Sequence, residues 1–236
     1  LRTVMRIDPL LELWKKKCVR RDQLADMTGV DPGDAKTWRE FIGRLLDRAR
    51  DGGAVGIKQL QAYHRSLDFQ HRTDGDVKFR GGLSDGETRA FQDWVVHECC
   101  KQAHERHWPH QCHVGTNNLS QSSPLPLEAL AKRYPGMPLV LLHCWPFLAE
   151  SGYLAKMAPS VHLDSCWQAV LSPAFHAEAM RLWLGYAPAH KILCAHDATS
   201  VEMAAGSALF VRETLAKEIQ AAGGGRDTAQ ALLHDN

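Results

Sequence analysis

The chain has 236 residues, 44% hydrophobic and 23% charged, which suits one domain with a large core or two smaller ones. Its 28 basic and 27 acidic residues nearly cancel, so no field of one sign points to a nucleic-acid partner. No run reaches ~18 apolar residues without a charge, and no membrane helix is expected.

Leu1 to Ile7 reads as a strand, and Asp8-Pro9 opens a helix predicted to reach about Arg20. Thr37 to Arg50 is a helix with Trp38, Phe41, Ile42, Leu45 and Leu46 on one face, ended by Gly52-Gly53. Ala54 to Leu60 is a strand, and Thr73 to Gly86 a polar, Gly-rich loop. A long helix over Glu87 to His107 leads through Pro109 into a strand at His110 to Gly115. Helices at Pro126 to Tyr134, Ala149 to Ala158 and Ala174 to Leu184 alternate with strands at Met137 to His143, Val161 to Ser165 and Lys191 to Ala195. Val201 to Ala221 is the last helix, and residues 223–236 are expected to form a flexible tail behind a domain of residues 1–222.

Alternating strands and helices define about six parallel βαβ units with both sheet faces covered. A doubly wound sheet and a (β/α)₈ barrel both fit. No G-x-G-x-x-G follows the first strand, which counts against a dinucleotide site. The seven cysteines lack regular spacing and fit reduced thiols. With no signal-peptide pattern after Leu1, a cytoplasmic setting is expected.

Polar residues recur at the C-terminal ends of the strands: Lys58, His113, His143 and Asp197. In a barrel that end is the active-site face, and imidazole and carboxylate suit Zn²⁺ and similar ions. Each residue also has a plainer reading. The two histidines can satisfy strand ends by hydrogen bonds, Asp197 can cap the following helix, and Lys58 can sit in a surface salt bridge. Arg6, Asp8 and Trp145 are candidates for substrate contact, with helix capping as the alternative for Asp8 and aromatic packing for Trp145. His104, His107, His110 and His113 are spaced by three, but Trp108-Pro109 breaks the helix and they cannot share a face. Cys112, Cys144 and His196 neighbour the candidates in sequence and are expected to point toward the helix layer.

The segments GIKQLQAYHRSLDF, QCHVGTNNLS, LVLLHCWPFLAESGYLA, VHLDS and ILCAHDAT, in that order, resemble the amidohydrolase superfamily of TIM-barrel metal-dependent hydrolases. The similarity extends to the amidohydrolase-like domain fused to some glutamine synthetases. It implies an α/β fold, a (β/α)₈ TIM barrel whose first one or two β/α units are absent from this chain. His113, His143 and Asp197 then fall after strands five, six and eight as metal and catalytic residues, with Asp197 the proton acceptor. Lys58 falls at strand four, where some members carry a carboxylated lysine.

The family's H-x-H pair after strand one does not occur in the chain. The resemblance therefore implies on the order of 100 further residues before Leu1, since such barrels run to ~250 residues or more. It implies a divalent metal, Zn²⁺ first, and hydrolysis of an amide, lactone or related ester of a small molecule. Metal-dependent decarboxylases and sugar-acid isomerases share the same ligands, and a chain without H-x-H can also be inactive. Missing strands would expose sheet edges, an opening for a homo-oligomer.

Overall fold

The computed structural model describes residues 2–15 and 17–235. Leu1 of the expected first strand, Lys16 of the expected first helix and Asn236 of the tail lie outside the described residues. The chain forms two compact units, one of Leu1–Leu60 with Asp68–His110, the other of Gln61–Leu67 with Gln111–Asn236.

In the first unit, β1 (Thr3–Arg6) and β2 (Ala54–Gln59) pair in parallel, with Met5 opposite Ile57 and Arg6 opposite Lys58. The helix expected from Asp8 to about Arg20 does not form. A 3-10 turn covers Asp8–Glu12, and α1 runs later, over Val19–Thr28. Leu10, Leu11 and Leu13 are all buried around this turn. Only Thr28 of α1 is buried, so it carries no apolar stripe for the sequence to reveal.

α2 (Ala35–Asp51) buries Trp38, Phe41, Ile42, Leu45 and Leu46, the face its periodicity predicts. It starts at a capping box in which Asp34 accepts from Thr37 N at 2.8 Å and Thr37 Oγ1 accepts from Asp34 N at 3.0 Å. α3 (Asp85–Glu105) begins at a second box, Ser84 with Glu87, two residues before the predicted start. It is buried on most sides, so its interior charges are paired. Arg72 reaches Asp93 at 3.1 Å, and Arg39 reaches Glu98 at 3.4 Å.

The second unit holds β3 (His110–Val114), β4 (Leu139–His143), β5 (Val161–Asp164) and β6 (Ile192–Leu193), adjacent in that order. β4, β5 and β6 are parallel, and β4 is buried throughout, as an apolar strand with both faces covered should be. Around them run α4 (Leu127–Arg133), α5 (Leu148–Met157), α6 (Gln168–Leu171), α7 (Pro173–Leu184) and α8 (Val201–Ala221). β6 is shorter than the predicted Lys191 to Ala195. Lys191 belongs to a 3-10 turn and donates to the Ala155 and Ala158 carbonyls at 2.6 and 2.8 Å. Beyond Gly225 the chain forms α9 (Arg226–Gln230), and Leu232 after it is buried. Among the described residues no helix is long and apolar enough to cross a membrane. The fold is α/β with parallel strands.

Candidate functional site

The register of the second unit sets three strand exits side by side. Leu142 lies opposite Asp164, and Asp164 opposite Leu193, so the residues just past them share one end. The β4 exit turns sharply. His143 and Cys144 both adopt left-handed backbone, φ 67° and 62°, as does Asp197 at φ 51°. Such conformations cost of order 1–3 kcal/mol each in non-glycine residues and persist only where surroundings hold them. Here the Gln168 side chain donates to the His143 carbonyl, and the His143 ring bonds from Nδ1 to the Cys166 carbonyl at 3.1 Å.

His143 is 3% exposed, and its Nε2 lies 3.8 Å from Oδ2 of Asp197, a side chain 47% exposed. That gap is too long for a hydrogen bond. It is compatible with two donors each ~2.0–2.2 Å from one ion. The His113 ring packs against His143 edge-on, centroids 4.5 Å apart, and against the tilted Tyr63 ring at 4.7 Å. Thr116 Oγ1 lies 3.4 Å from His113 Nε2. The three predicted residues are thus brought together. Among the described residues, however, no three His, Cys, Asp or Glu side chains are disposed as a ready ion-binding group. The donor chemistry fits a divalent ion as a partial set, His143 Nε2 with Asp197 Oδ2 and His113 alongside.

Gly115 lets β3 end against this corner. Its φ is +67°, and a Cβ there would sit 2.0 Å from the Trp145 carbonyl oxygen, which also accepts from Thr116 N at 2.8 Å. Asp197 does not cap α8; Ser200 does, accepting from Met203 N at 3.2 Å. Asp164, at the end of β5, is buried and accepts from Cys166 N at 2.9 Å and Ala195 N at 3.2 Å. Burial pushes its carboxyl above the usual range, those two bonds pull it back, and the charge of Asp197 pushes it up again. Burial likewise raises the Cys144 and Cys194 thiols to about 12 and keeps them protonated.

The other candidates divide differently. Lys58 is the penultimate residue of β2 in the first unit, half-buried, and makes no ion pair among the described residues. Arg6 is in that unit too, its Nε 3.3 Å from Asp8 Oδ2. Asp8 accepts from Leu60 N at 2.6 Å, tying the two strand ends together. Trp145 stacks on Phe175, centroids 4.2 Å apart at 15°, the packing alternative. Cys112 and Cys144 are buried, and His196 bonds Ser207 of α8 at 3.0 Å, on the helix side. Tyr63, Asp164, Cys166 and Gln168 are the participants that sequence reasoning missed. A carboxylate closing the short strand VHLD was the one signal on offer.

A strand-exit cluster of two histidines and an aspartate on parallel α/β architecture defines a class, and comparison with known proteins gives it a family. The chain belongs to the amidohydrolase family, whose model matches residues 14–236. It is 30% identical over 148 residues to protein FluG of Emericella nidulans, a match covering 53% of this chain and 17% of FluG. Among solved structures it resembles a protein of Lactobacillus casei described as a metal-dependent hydrolase (TM-score 0.73, 21% identity, 99% of this chain and 65% of that one). It also resembles a uronate isomerase of Thermotoga maritima (TM-score 0.79, 14% identity, 99% and 60%). The α/β fold with its six-stranded sheet resembles these TIM-barrel structures, and the chain spans less than two thirds of the length of these relatives.

Proposed function

We propose that this chain carries part of the catalytic centre of a metal-dependent hydrolase acting on an amide, lactone or related ester of a small molecule. The observation that carries the reading is His143 Nε2 facing Asp197 Oδ2 at 3.8 Å beneath the packed His113 ring. His143 and Asp197, with His113 beside them, would hold a divalent ion, zinc first among the candidates. When bound, the ion supplies Lewis acidity and lowers the pKa of a water. His143 is a rigid donor, since its ring and its carbonyl are both anchored. Asp197 is exposed enough to meet substrate, accepts the proton of the attacking water and returns it to the leaving group. The Tyr63 ring shields one side of His113 from solvent.

The test is zinc titration by calorimetry together with turnover on a panel of amides, lactones and esters. His143→Ala should weaken zinc binding at least ~10-fold, while Asp197→Asn should keep most of it and lose nearly all turnover, because an amide cannot accept the proton. Unchanged zinc affinity in His143→Ala, or near-normal turnover in Asp197→Asn, would sink the reading. A sugar-acid isomerase is the second reading, favoured by the likeness to the Thermotoga uronate isomerase and to a glucuronate isomerase of Caulobacter crescentus (TM-score 0.72, 17% identity, 98% of this chain and 55% of that one). Uronates in the same panel separate the two by product.

A further inference from the structure

We propose that Asp164 is a positioning residue that sets the tautomer of His143 through the backbone of Cys166; this rests on the reading of His143 as a donor nitrogen. Asp164 acts through main-chain partners. Its Oδ1 gathers two backbone N–H groups, from Cys166 at 2.9 Å and Ala195 at 3.2 Å, and so ties the exit of β5 to that of β6. The Cys166 peptide held in this way presents its carbonyl to His143 Nδ1 at 3.1 Å, and the Cys166 sulfur lies 3.3 Å from the same nitrogen. Two residues on, Gln168 donates to the His143 carbonyl. One short segment thereby grips the histidine by both ring and main chain.

A carbonyl oxygen can only accept, so the Cys166 bond favours the ring proton on Nδ1, with the Cys166 sulfur beside it as a second, weak acceptor. The neutral ring then carries its lone pair on Nε2, the atom that faces Asp197. With the opposite tautomer the ring would turn an N–H toward Asp197 and offer no donor pair to an ion. Partners of this kind, one bond removed from a ligand, characteristically alter metal affinity ~10–100-fold. The acceptor needs an oxygen with room for two N–H groups. It does not need a charge, so asparagine should substitute and alanine should not.

The experiment is long-range ¹H–¹⁵N correlation of the histidine rings in the metal-free full chain, held at about pH 8, where an ordinary histidine is neutral. His143→Gln identifies the signal. Wild type and Asp164→Asn should both show the Nδ1–H pattern, and Asp164→Ala should lose it. Zinc binding by calorimetry should fall ~10–100-fold in Asp164→Ala and stay within a few-fold of wild type in Asp164→Asn. An Nε2–H ring in the wild-type chain overturns the proposal outright, and that measurement decides the matter should Asp164→Ala fail to fold. So does an Nδ1–H pattern that survives in folded Asp164→Ala. A wild-type chain that binds no zinc would instead overturn the metal reading, leaving the tautomer pattern to decide the role of Asp164.

Discussion

Replacing Gly115 with alanine should unsettle the corner on which the histidines stand. At φ +67° an alanine pays ~1–2 kcal/mol for left-handed backbone. Its Cβ would also lie 2.0 Å from the Trp145 carbonyl oxygen, a backbone atom that cannot swing aside as a flexible side chain would. Moving that carbonyl strains its 2.8 Å bond from Thr116 N, a bond worth ~0.5–1.5 kcal/mol. The total is about 1.5–3.5 kcal/mol, or a midpoint lowered by roughly 3–14 °C in a chain of this size. Gly206 in α8 is the control. It has open space where a Cβ would go, and alanine there should stabilise by ~0.5–1 kcal/mol. Urea unfolding of the two variants beside wild type reads both effects. A Gly115→Ala protein within ~0.5 kcal/mol of wild type would refute the close-approach argument. So would equal losses at the two sites.

Two further outcomes concern buried polar groups. His176 is fully buried, neither ring nitrogen has a hydrogen-bond partner among the described residues, and burial, then the nearby His196, depresses it to about 4. The unfolded chain takes up a proton near 6.5 and the folded one near 4, so stability should fall as pH drops through that window and level off below it. His176→Leu should flatten that part of the decline and gain ~1–3 kcal/mol at neutral pH, and an unchanged urea-midpoint slope between the two pH limits would count against it. Lys191→Met keeps the apolar stem but leaves the Ala155 and Ala158 carbonyls at the end of α5 without their donor. It should cost ~1–3 kcal/mol by urea unfolding, and a midpoint equal to wild type would show that water replaces the ammonium.

What the sequence made legible follows from where the physical signal resided. α2 and β4 were readable because burial on one face, or on both, writes itself into residue type at a fixed period. α8 was readable from its length, running over the predicted Val201–Ala221. α1 buries almost nothing, so no pattern marked it, and the Asp8-Pro9 start signal before it opened only a 3-10 turn. His113, His143 and Asp197 could be gathered from sequence because parallel strands deliver their ends to one side. The clamp built by Asp164 and Gln168 could not, because its partners are backbone groups of loops, identical in every residue type and placed only by register. Asp8 illustrates the same limit in the first unit, bonding Leu60 N, 52 positions along the chain.

The left-handed turn at the exit of β4 restricts what position 143 can become. Asparagine, aspartate and histidine enter that backbone region several-fold more readily than other side-chain-bearing residues, and glycine enters it without penalty. With His143 at φ 67°, a lineage drifting at this position while keeping its fold would move mainly among those four types. Three of them carry a nitrogen or oxygen that can bind an ion. The shape of the main chain therefore works as a filter on mutation that favours donor chemistry at this exit, even in periods when no substrate is imposing selection.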